Sequence, residues 1–220
     1  MSPLAALSLL SARSVRSFRS AGSALTALRA RAGVLRARAD DLDRRRRHRS
    51  TARALLRVEP EPESWLDVGT GDAQFPATAK ELFPYTSFDG IDPTARVLAA
   101  REEERVEEAY VGDLTDPQLT RALRARYDVV TLLHPPTPDE DLRAALTLLR
   151  PGGLLLLETP RPRVDALRTE LESQGCEIVP PKPRRLLDRP FLDGSFLNGP
   201  LSDRLRPTAR IVARRAPSAP

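Results

Sequence analysis

The chain has 220 residues, which is enough for one domain of about 150 residues with an appendage but too few for two full domains. Its 40% hydrophobic and 30% charged residues are typical of a soluble globular protein, and no apolar run is long enough to span a membrane. The single cysteine, Cys176, excludes an internal disulfide, and with only two histidines the sequence predicts no metal site of the structural zinc type.

The formal net charge of +5 is distributed unevenly along the chain. Residues 1–57 hold 14 Arg and 3 Asp, so the remainder of the chain is acidic overall. Nearly all of the basic residues are arginine, a bias that GC-rich coding also produces. We therefore give the basic composition no weight as evidence for nucleic-acid binding, and we expect no nucleic-acid partner.

The first 40 residues are open to three interpretations. Residues 1–39 contain no acidic residue but seven Ser and seven Arg, with apolar residues spaced roughly for one helical face. Such a segment is compatible with a mitochondrial presequence, with a basic amphipathic helix that binds a membrane surface or a partner, and with a poorly ordered or loosely helical extension. We favour the extension, in a cytoplasmic protein; a presequence would place the protein in the mitochondrial matrix.

Residues 41–62 are expected to form an N-terminal helix. Acidic residues from Asp40 to Asp43 precede a run of arginines, a polarity that complements the helix dipole, and Pro60 and Pro62 end the segment. The arginine run RRRRHR is interpreted as a solvated helix face.

From Ser64 onward, short apolar runs alternate with helix-compatible stretches. This alternation predicts a doubly wound α/β domain over residues 63–216, with a mostly parallel sheet covered on both faces. The predicted strands are 65–68, 87–91, 109–111, 128–133, 154–157, 176–179 and 209–213. The predicted helices are 73–82, 95–105, 117–126, 139–149 and 164–174.

The stretch WLDVGTGDAQF, residues 65–75, places an acidic residue and two glycines at the end of the first strand of this domain. Ligands of open parallel sheets bind beyond the carboxyl ends of the strands. There Asp67 is a candidate ligand group, and Gly69 and Gly71, on either side of Thr70, allow the backbone to approach a ligand closely. A dinucleotide fingerprint needs a third glycine where this chain has Gln74. Asp67 would also repel a pyrophosphate, so a ligand with a cationic or amino-bearing end suits it better.

Acidic residues also follow the next two predicted strands. Asp92 comes 21 residues after Gly71, where a second-strand acid accepts two hydrogen bonds from ribose hydroxyls. Asp113 follows the third strand and is placed to accept from an exocyclic amine such as that of adenine. Asp89 and Asp116 are interpreted as surface or capping residues.

Five segments of residues 64–160 occur in the order and spacing of a known family: LDVGTGDAQF, GIDPTARVLAAREE, EEAYVGDLTD, YDVVTLLH and LRPGGLLLLETP. In these the chain resembles class I S-adenosylmethionine-dependent methyltransferases. The resemblance implies a Rossmann-like fold of seven strands whose last strand is antiparallel. It also implies a cofactor site. In that site Asp67 and the loop Gly69, Thr70 and Gly71 hold the methionyl part. Asp92 holds the ribose, and Asp113 with Leu114 borders the adenine.

His134, at the end of the fourth strand, is the candidate catalytic base for a methyl acceptor. The connection over 180–207 is long for a compact domain, and two interpretations of its apolar residues stay open: a cover for the acceptor, or a patch packed on the edge of the domain. The preferred hypothesis is methyl transfer to a small-molecule acceptor. Two alternatives stay open: a non-catalytic relative that binds a partner or an anionic surface through its basic N-terminus, and an RNA methyltransferase.

Overall fold

The computed structural model describes the backbone of residues 4–133, 139–180 and 208–217, and their side chains except those of residues 4–28, 30 and 139. The strands are β1 (Ser64–Val68), β2 (Ser87–Asp92), β3 (Ala109–Val111), β4 (Tyr127–Leu132), β5 (Leu149–Pro160), β6 (Cys176–Ile178) and β7 (Thr208–Arg215). The helices are α1 (Leu4–Leu56), α2 (Gln74–Ala79), α3 (Arg96–Glu102), α4 (Pro117–Ala122), α5 (Asp139–Leu148) and α6 (Val164–Ser173), with one 3₁₀ turn at Arg161–Arg163.

The strands form one seven-stranded sheet in the order β3-β2-β1-β4-β5-β7-β6. Strands β1 to β5 run parallel, whereas β7 is antiparallel to both β5 and β6. The predicted fold, including the antiparallel last strand, is confirmed. Because the strand order reverses between β1 and β4, a ligand crevice is expected at the carboxyl ends of these strands.

The helices α2, α3 and α4 are shorter than the sequence predicts, and the backbone explains where two of them stop. Glu104 and Ala125, with φ of 57° and 51°, take the left-handed conformation just after α3 and α4. Ala73, with φ of 52°, does the same just before α2. Strand β5 begins before the predicted 154–157 and includes Gly152 and Gly153, at the point where the pairing register with β4 shifts.

Apolar side chains pack on both faces of the sheet. On one face, aromatic residues surround Trp65, whose ring stacks on Phe88 with 5.1 Å between centroids. Ala52 and Leu55 near the end of α1 complete this cluster. The other face carries the larger cluster, which includes Leu155, Leu167 and the buried Cys176. The sheet is therefore covered on both sides, as expected from its continuous apolar strands.

A buried carboxylate on the second face corrects one interpretation made from the sequence. Asp89 is not a surface or capping residue: it is buried and accepts a hydrogen bond from the Tyr127 hydroxyl at 2.8 Å. Burial raises the pKa of Asp89, against the opposing effects of the Tyr127 hydroxyl and the Arg126 guanidinium. Asp116, in contrast, caps α4 as predicted by accepting from the N–H of Gln118 at 2.8 Å.

The chain divides into two compact units, residues 1–47 and 48–220. A single helix, α1, runs through residues 40 and 41, where the sequence predicted the extension to end and a separate helix to begin. Asp40 to Asp43 therefore lie inside a helix and do not begin one. Within the first unit, Asp41 pairs with Arg44 at 3.0 Å and with Arg45 at 3.1 Å. Such pairs three and four residues apart support a continuing helix. No described helix is both long and apolar enough to cross a membrane.

Candidate functional site

Three neighbouring strands bring the predicted acidic residues to one edge of the sheet. Asp67 is the fourth residue of β1, Asp92 is the last residue of β2, and Asp113 comes two residues after β3. Asp67 pairs in register with Gly90, and Asp92 lies two positions further along β2. Because side chains alternate along a strand, Asp67 and Asp92 project from the same face of the sheet.

The glycine loop after β1 is held against β2. Gly69 and Gly71 have φ of 68° and 55°, in the left-handed region that favours glycine. The N–H groups of Gly69 and Thr70 donate to the carbonyl of Ile91 at 2.8 and 3.2 Å, and the N–H of Gly71 donates to Asp92 Oδ2 at 2.8 Å. These N–H groups therefore fix the loop on β2 and are already used as donors within the protein.

Asp67 is a buried carboxylate with few donors. Among the described residues, Thr131 on β4 donates to it, with 2.5 Å between the Thr131 hydroxyl and Asp67 Oδ1. Burial raises the pKa of Asp67 to about 6; the hydroxyls of Thr131 and Thr70 oppose this rise, and the negative charge of Asp92 adds to it. A carboxylate in this environment gains from a cationic ligand, because the cation compensates the lost hydration.

Thr70 carries a second buried polar group. Its hydroxyl oxygen is buried and lies near enough to Asp67 to affect that pKa, but it has no hydrogen-bond partner in the described structure. Buried hydroxyls without a partner are rare, because an unmade hydrogen bond costs about 1–3 kcal/mol. Asp67 and Thr70 together therefore keep hydrogen-bonding capacity that the described residues do not use.

Asp92 already accepts three hydrogen bonds within the protein. The N–H and the hydroxyl of Thr94 donate to Oδ1 at 2.9 and 2.5 Å, and the N–H of Gly71 donates to Oδ2. Desolvation raises the pKa of Asp92, but these donors and the Arg96 charge outweigh it and lower the pKa below its usual value. A carboxylate offers about four acceptor positions. While Thr94 stays in place, one position on Oδ2 remains, so we expect one ribose hydroxyl rather than the predicted two.

Asp113 and Leu114 differ in exposure. Asp113 is exposed, and its Oδ1 accepts from the N–H and the hydroxyl of Thr115 at 2.9 and 2.8 Å, which lowers its pKa. Its Oδ2 is available to a ligand amine. Leu114 is buried and its side chain belongs to the large apolar cluster. Leu114 is therefore placed to support the loop after β3 by packing beneath it.

His134 lies outside the described residues, as do residues 181–207 of the long connection between β6 and β7. The described chain ends before that histidine at Leu133, one residue beyond β4. Among the described residues, no group of three or more His, Cys, Asp and Glu side chains is arranged to hold a metal ion.

A family model described as a methyltransferase domain matches residues 42–193, which is more than half of the chain. This chain belongs to the class I S-adenosylmethionine-dependent methyltransferase family. Comparison with the curated proteins gives no match.

Solved structures with this methyltransferase fold are similar to the chain at low sequence identity. An O-methyltransferase family protein from Burkholderia thailandensis is 15% identical, with a TM-score of 0.50, over 73% of this chain and 53% of that chain. The 1,6-didemethyltoxoflavin-N1-methyltransferase of the same organism is 17% identical, with a TM-score of 0.54, over 77% and 78%. A Haloferax volcanii methyltransferase in complex with the Trm112 activator is 18% identical, with a TM-score of 0.56, over 81% and 94%. The chain thus spans about half the length of the first of these proteins.

The candidate site also contains two residues that were not predicted from the sequence. Thr131 joins β4 to the Asp67 carboxylate, and the indole N–H of Trp65 donates to the same threonine at 3.3 Å. Thr94 occupies one oxygen of Asp92. The signal for Thr131 was present, since it is a polar residue in the middle of the apolar run VVTLL. Thr94 had no comparable signal, because a threonine after Asp-Pro is equally compatible with a simple turn.

Replacing Gly90 with alanine is expected to disturb the glycine loop after β1. A Cβ at this position would lie 2.7 Å from Cγ2 of Thr70 and 3.1 Å from Cγ2 of Val97. Thr70 is β-branched and stiff, so the loop must shift. We expect the affinity for S-adenosylhomocysteine, measured by calorimetry, to fall about tenfold, and the free energy of unfolding to fall by about 1–3 kcal/mol.

The matched control is Gly153→Ala, at the opposite edge of the sheet. Its added Cβ would lie 3.0 Å from the Arg150 carbonyl and 3.1 Å from the Asp128 carbonyl. This variant should lose stability without losing affinity. Equal affinity losses in the two variants would show that the effect of Gly90→Ala is general destabilisation.

Proposed function

We propose that this chain transfers a methyl group from S-adenosylmethionine to a small-molecule acceptor. The observation that carries the proposal is the pair formed by Asp67 and Thr70. A buried carboxylate with one described donor lies near a buried hydroxyl without a partner, beside a glycine loop with left-handed backbone. The α-amino group of a methionyl moiety is both cationic and a hydrogen-bond donor, so it complements this pair.

The remaining cofactor contacts follow from the order of the strands. In this proposal Asp92 accepts from one ribose hydroxyl through Oδ2, because Gly71 and Thr94 occupy its other described acceptor positions. Asp113, exposed at the end of the adjacent β3, accepts from the adenine amine through Oδ2. Leu114 supports this segment by its burial in the apolar cluster.

The bound cofactor supplies an electrophilic methyl group on a sulfonium. The task of the protein is to align the acceptor with that group and to exclude water, and no covalent intermediate with a side chain is required. His134 follows Leu133 in the sequence, and in this proposal it removes the proton of the acceptor. Its role stays a prediction.

Two observations support a small-molecule acceptor. The unit of residues 48–220 contains the site, and the chain beyond residue 57 carries 21 basic and 27 acidic residues, a balance that disfavours binding of a nucleic-acid polyanion there. One matched structure is that of a methyltransferase bound to the small molecule 1,6-didemethyltoxoflavin together with S-adenosylhomocysteine.

Calorimetric titration of the full chain with S-adenosylhomocysteine tests the cofactor site. We expect saturable binding with a dissociation constant in the micromolar range, about −8 kcal/mol. Absence of binding over the pH range 6–8 would contradict the proposal.

Methyl transfer itself is tested with radiolabelled S-adenosylmethionine and two sets of acceptors, a panel of small phenols and amines and a total RNA fraction. Label in the small-molecule fraction supports the proposal. Label in RNA alone, with a strong salt dependence, would favour the RNA alternative. Cofactor binding without any transfer would favour the non-catalytic alternative.

A further inference from the structure

The part of α1 between Arg31 and Arg47 exposes apolar side chains to solvent. This segment lies in the unit of residues 1–47. All of its residues are exposed except Asp41, which is half-buried. Val34, Leu35 and Leu42 are 55%, 65% and 57% exposed. Scattered exposed leucines are common, so their arrangement on the helix decides whether they form a surface.

Apolar residues of this segment recur at helical spacing. Ala32, Leu35, Ala39 and Leu42 are separated by three, four and three residues, which places them on one face of the helix. We call these four residues the leucine stripe. Its length corresponds to about three turns of helix. The stripe is therefore continuous along this part of α1.

Arginines border the leucine stripe on both sides. Arg31 is four residues before Leu35, and Arg38 is three residues after it, so both lie beside the leucines. Arg36 is four residues after Ala32 and borders the other edge. The described ion pairs of this unit join Asp41 and Asp43 to arginines from 44 onward, and none is described for Arg31, Arg36 or Arg38. Asp43 lies on the same edge as Arg36 and pairs with Arg47 at 3.3 Å. Over residues 31–47 there are seven Arg and three Asp, so the segment as a whole carries a formal charge of +4.

Charge and apolarity together select the kind of partner. A second copy of the helix packed on the leucine stripe would oppose two segments that each carry a formal charge of +4, which is unfavourable. A nucleic acid would neutralise the arginines but would leave Leu35 and Leu42 without an apolar environment. An anionic bilayer satisfies both, because leucines enter the acyl boundary while arginine stems extend to the phosphates.

We propose that the leucine stripe and its bordering arginines bind the surface of an anionic lipid bilayer. The helix would lie in the plane of the interface, with Leu35 and Leu42 toward the lipid. The part of α1 that precedes the stripe, residues 4–31, contains no acidic residue and so adds no negative charge. This proposal concerns the unit of residues 1–47 and does not depend on methyl transfer.

The test is sedimentation of the full chain with vesicles of phosphatidylcholine alone and of phosphatidylcholine mixed with phosphatidylglycerol. We expect binding to the mixed vesicles and little to the neutral ones. In Leu35→Glu, partitioning to the mixed vesicles should fall at least about thirtyfold, because a leucine contact is lost and a negative charge is added. Circular dichroism of this variant checks that its helix content is unchanged.

Ala37→Glu is the matched control, because it adds the same charge at an exposed position on the opposite face of α1. Its effect should be about twofold, since its charge is roughly a helix diameter further from the lipid. If Leu35→Glu loses helix content, Arg31→Gln with Arg38→Gln takes its place, with a loss of about tenfold expected.

Three results would overturn the proposal. The first is equal binding to neutral and mixed vesicles, or no binding to either. The second is an equal loss in Leu35→Glu and Ala37→Glu. The third takes one of two forms. Either the chain binds RNA and not vesicles, and Leu35→Glu leaves the RNA binding unchanged, or the chain dimerises without vesicles and Leu35→Glu dissociates the dimer.

Discussion

Asp92→Ala is expected to weaken binding of S-adenosylhomocysteine about 100-fold, or ~2.7 kcal/mol. The substitution removes the proposed acceptor for a ribose hydroxyl and, at the same time, the acceptor for the Gly71 N–H that holds the glycine loop on β2. It also releases both donors of Thr94. Hydrogen bonds to a charged group contribute about 1.5–3 kcal/mol each, so the loss of loop order and of the ribose contact accounts for an effect of this size. Calorimetric titration of the purified variant measures it.

Asp116→Ala serves as the control for the loss of a carboxylate at the same edge of the sheet. Asp116 caps α4 and has no proposed contact with the cofactor. Its replacement should lower the free energy of unfolding by about 1 kcal/mol while leaving the affinity unchanged. An affinity of Asp92→Ala equal to that of the wild type would remove Asp92 from the site, and the assignment of the ribose position with it.

Asp67→Asn is expected to have opposite effects on stability and on binding. Burial raises the pKa of Asp67 from 3.8 to about 6, so the folded protein binds this proton more tightly than the unfolded chain does. The stability supplied by the protonated form is complete below about pH 4 and is lost as the pH rises through 6. At pH 8 the buried charge therefore destabilises the cofactor-free protein by about 2–3 kcal/mol. Asparagine removes that charge, so the variant should be more stable by a similar amount at pH 8 and nearly unchanged at pH 4.

The same substitution should weaken cofactor binding at pH 8. A cationic α-amino group near Asp67 stabilises the carboxylate, so wild-type affinity should increase between about pH 5 and pH 7 and then level off. In Asp67→Asn this increase should be absent, and affinity at pH 8 should fall at least about tenfold. Urea unfolding at several pH values and calorimetry at the same values measure the two effects.

Asp89→Asn controls for the general consequence of neutralising a buried carboxylate. Asp89 is also buried with a raised pKa, but it lies on the other face of the sheet and is bonded to Tyr127. Its replacement should not change cofactor affinity. If Asp67→Asn binds S-adenosylhomocysteine as tightly as the wild type at pH 8, the proposed contact with the amino group is absent.

A large part of the fold was predictable from the sequence because its signals are local. Each strand in the sheet corresponds to a short apolar run, and an apolar run flanked by glycine, proline or acidic residues predicts a buried strand wherever it lies in the chain. The common location of Asp67 and Asp92 was predictable from the same strands, since the carboxyl ends of parallel strands meet at one edge of the sheet. The family resemblance then implied which part of the cofactor each acid is proposed to contact.

The state of each candidate side chain was decided only by the tertiary structure. Thr131 reaches Asp67 across 64 positions of sequence, and Tyr127 reaches Asp89 across 38. Such contacts depend on strand order and register, which no local pattern encodes. They determine that Asp67 is buried with a raised pKa, whereas Asp92 keeps a lowered pKa and one open acceptor position. The sequence alone thus located the carboxylates, and the packing of β1 between β2 and β4 determined their protonation and their remaining hydrogen-bonding capacity, because both depend on neighbours that are distant along the chain.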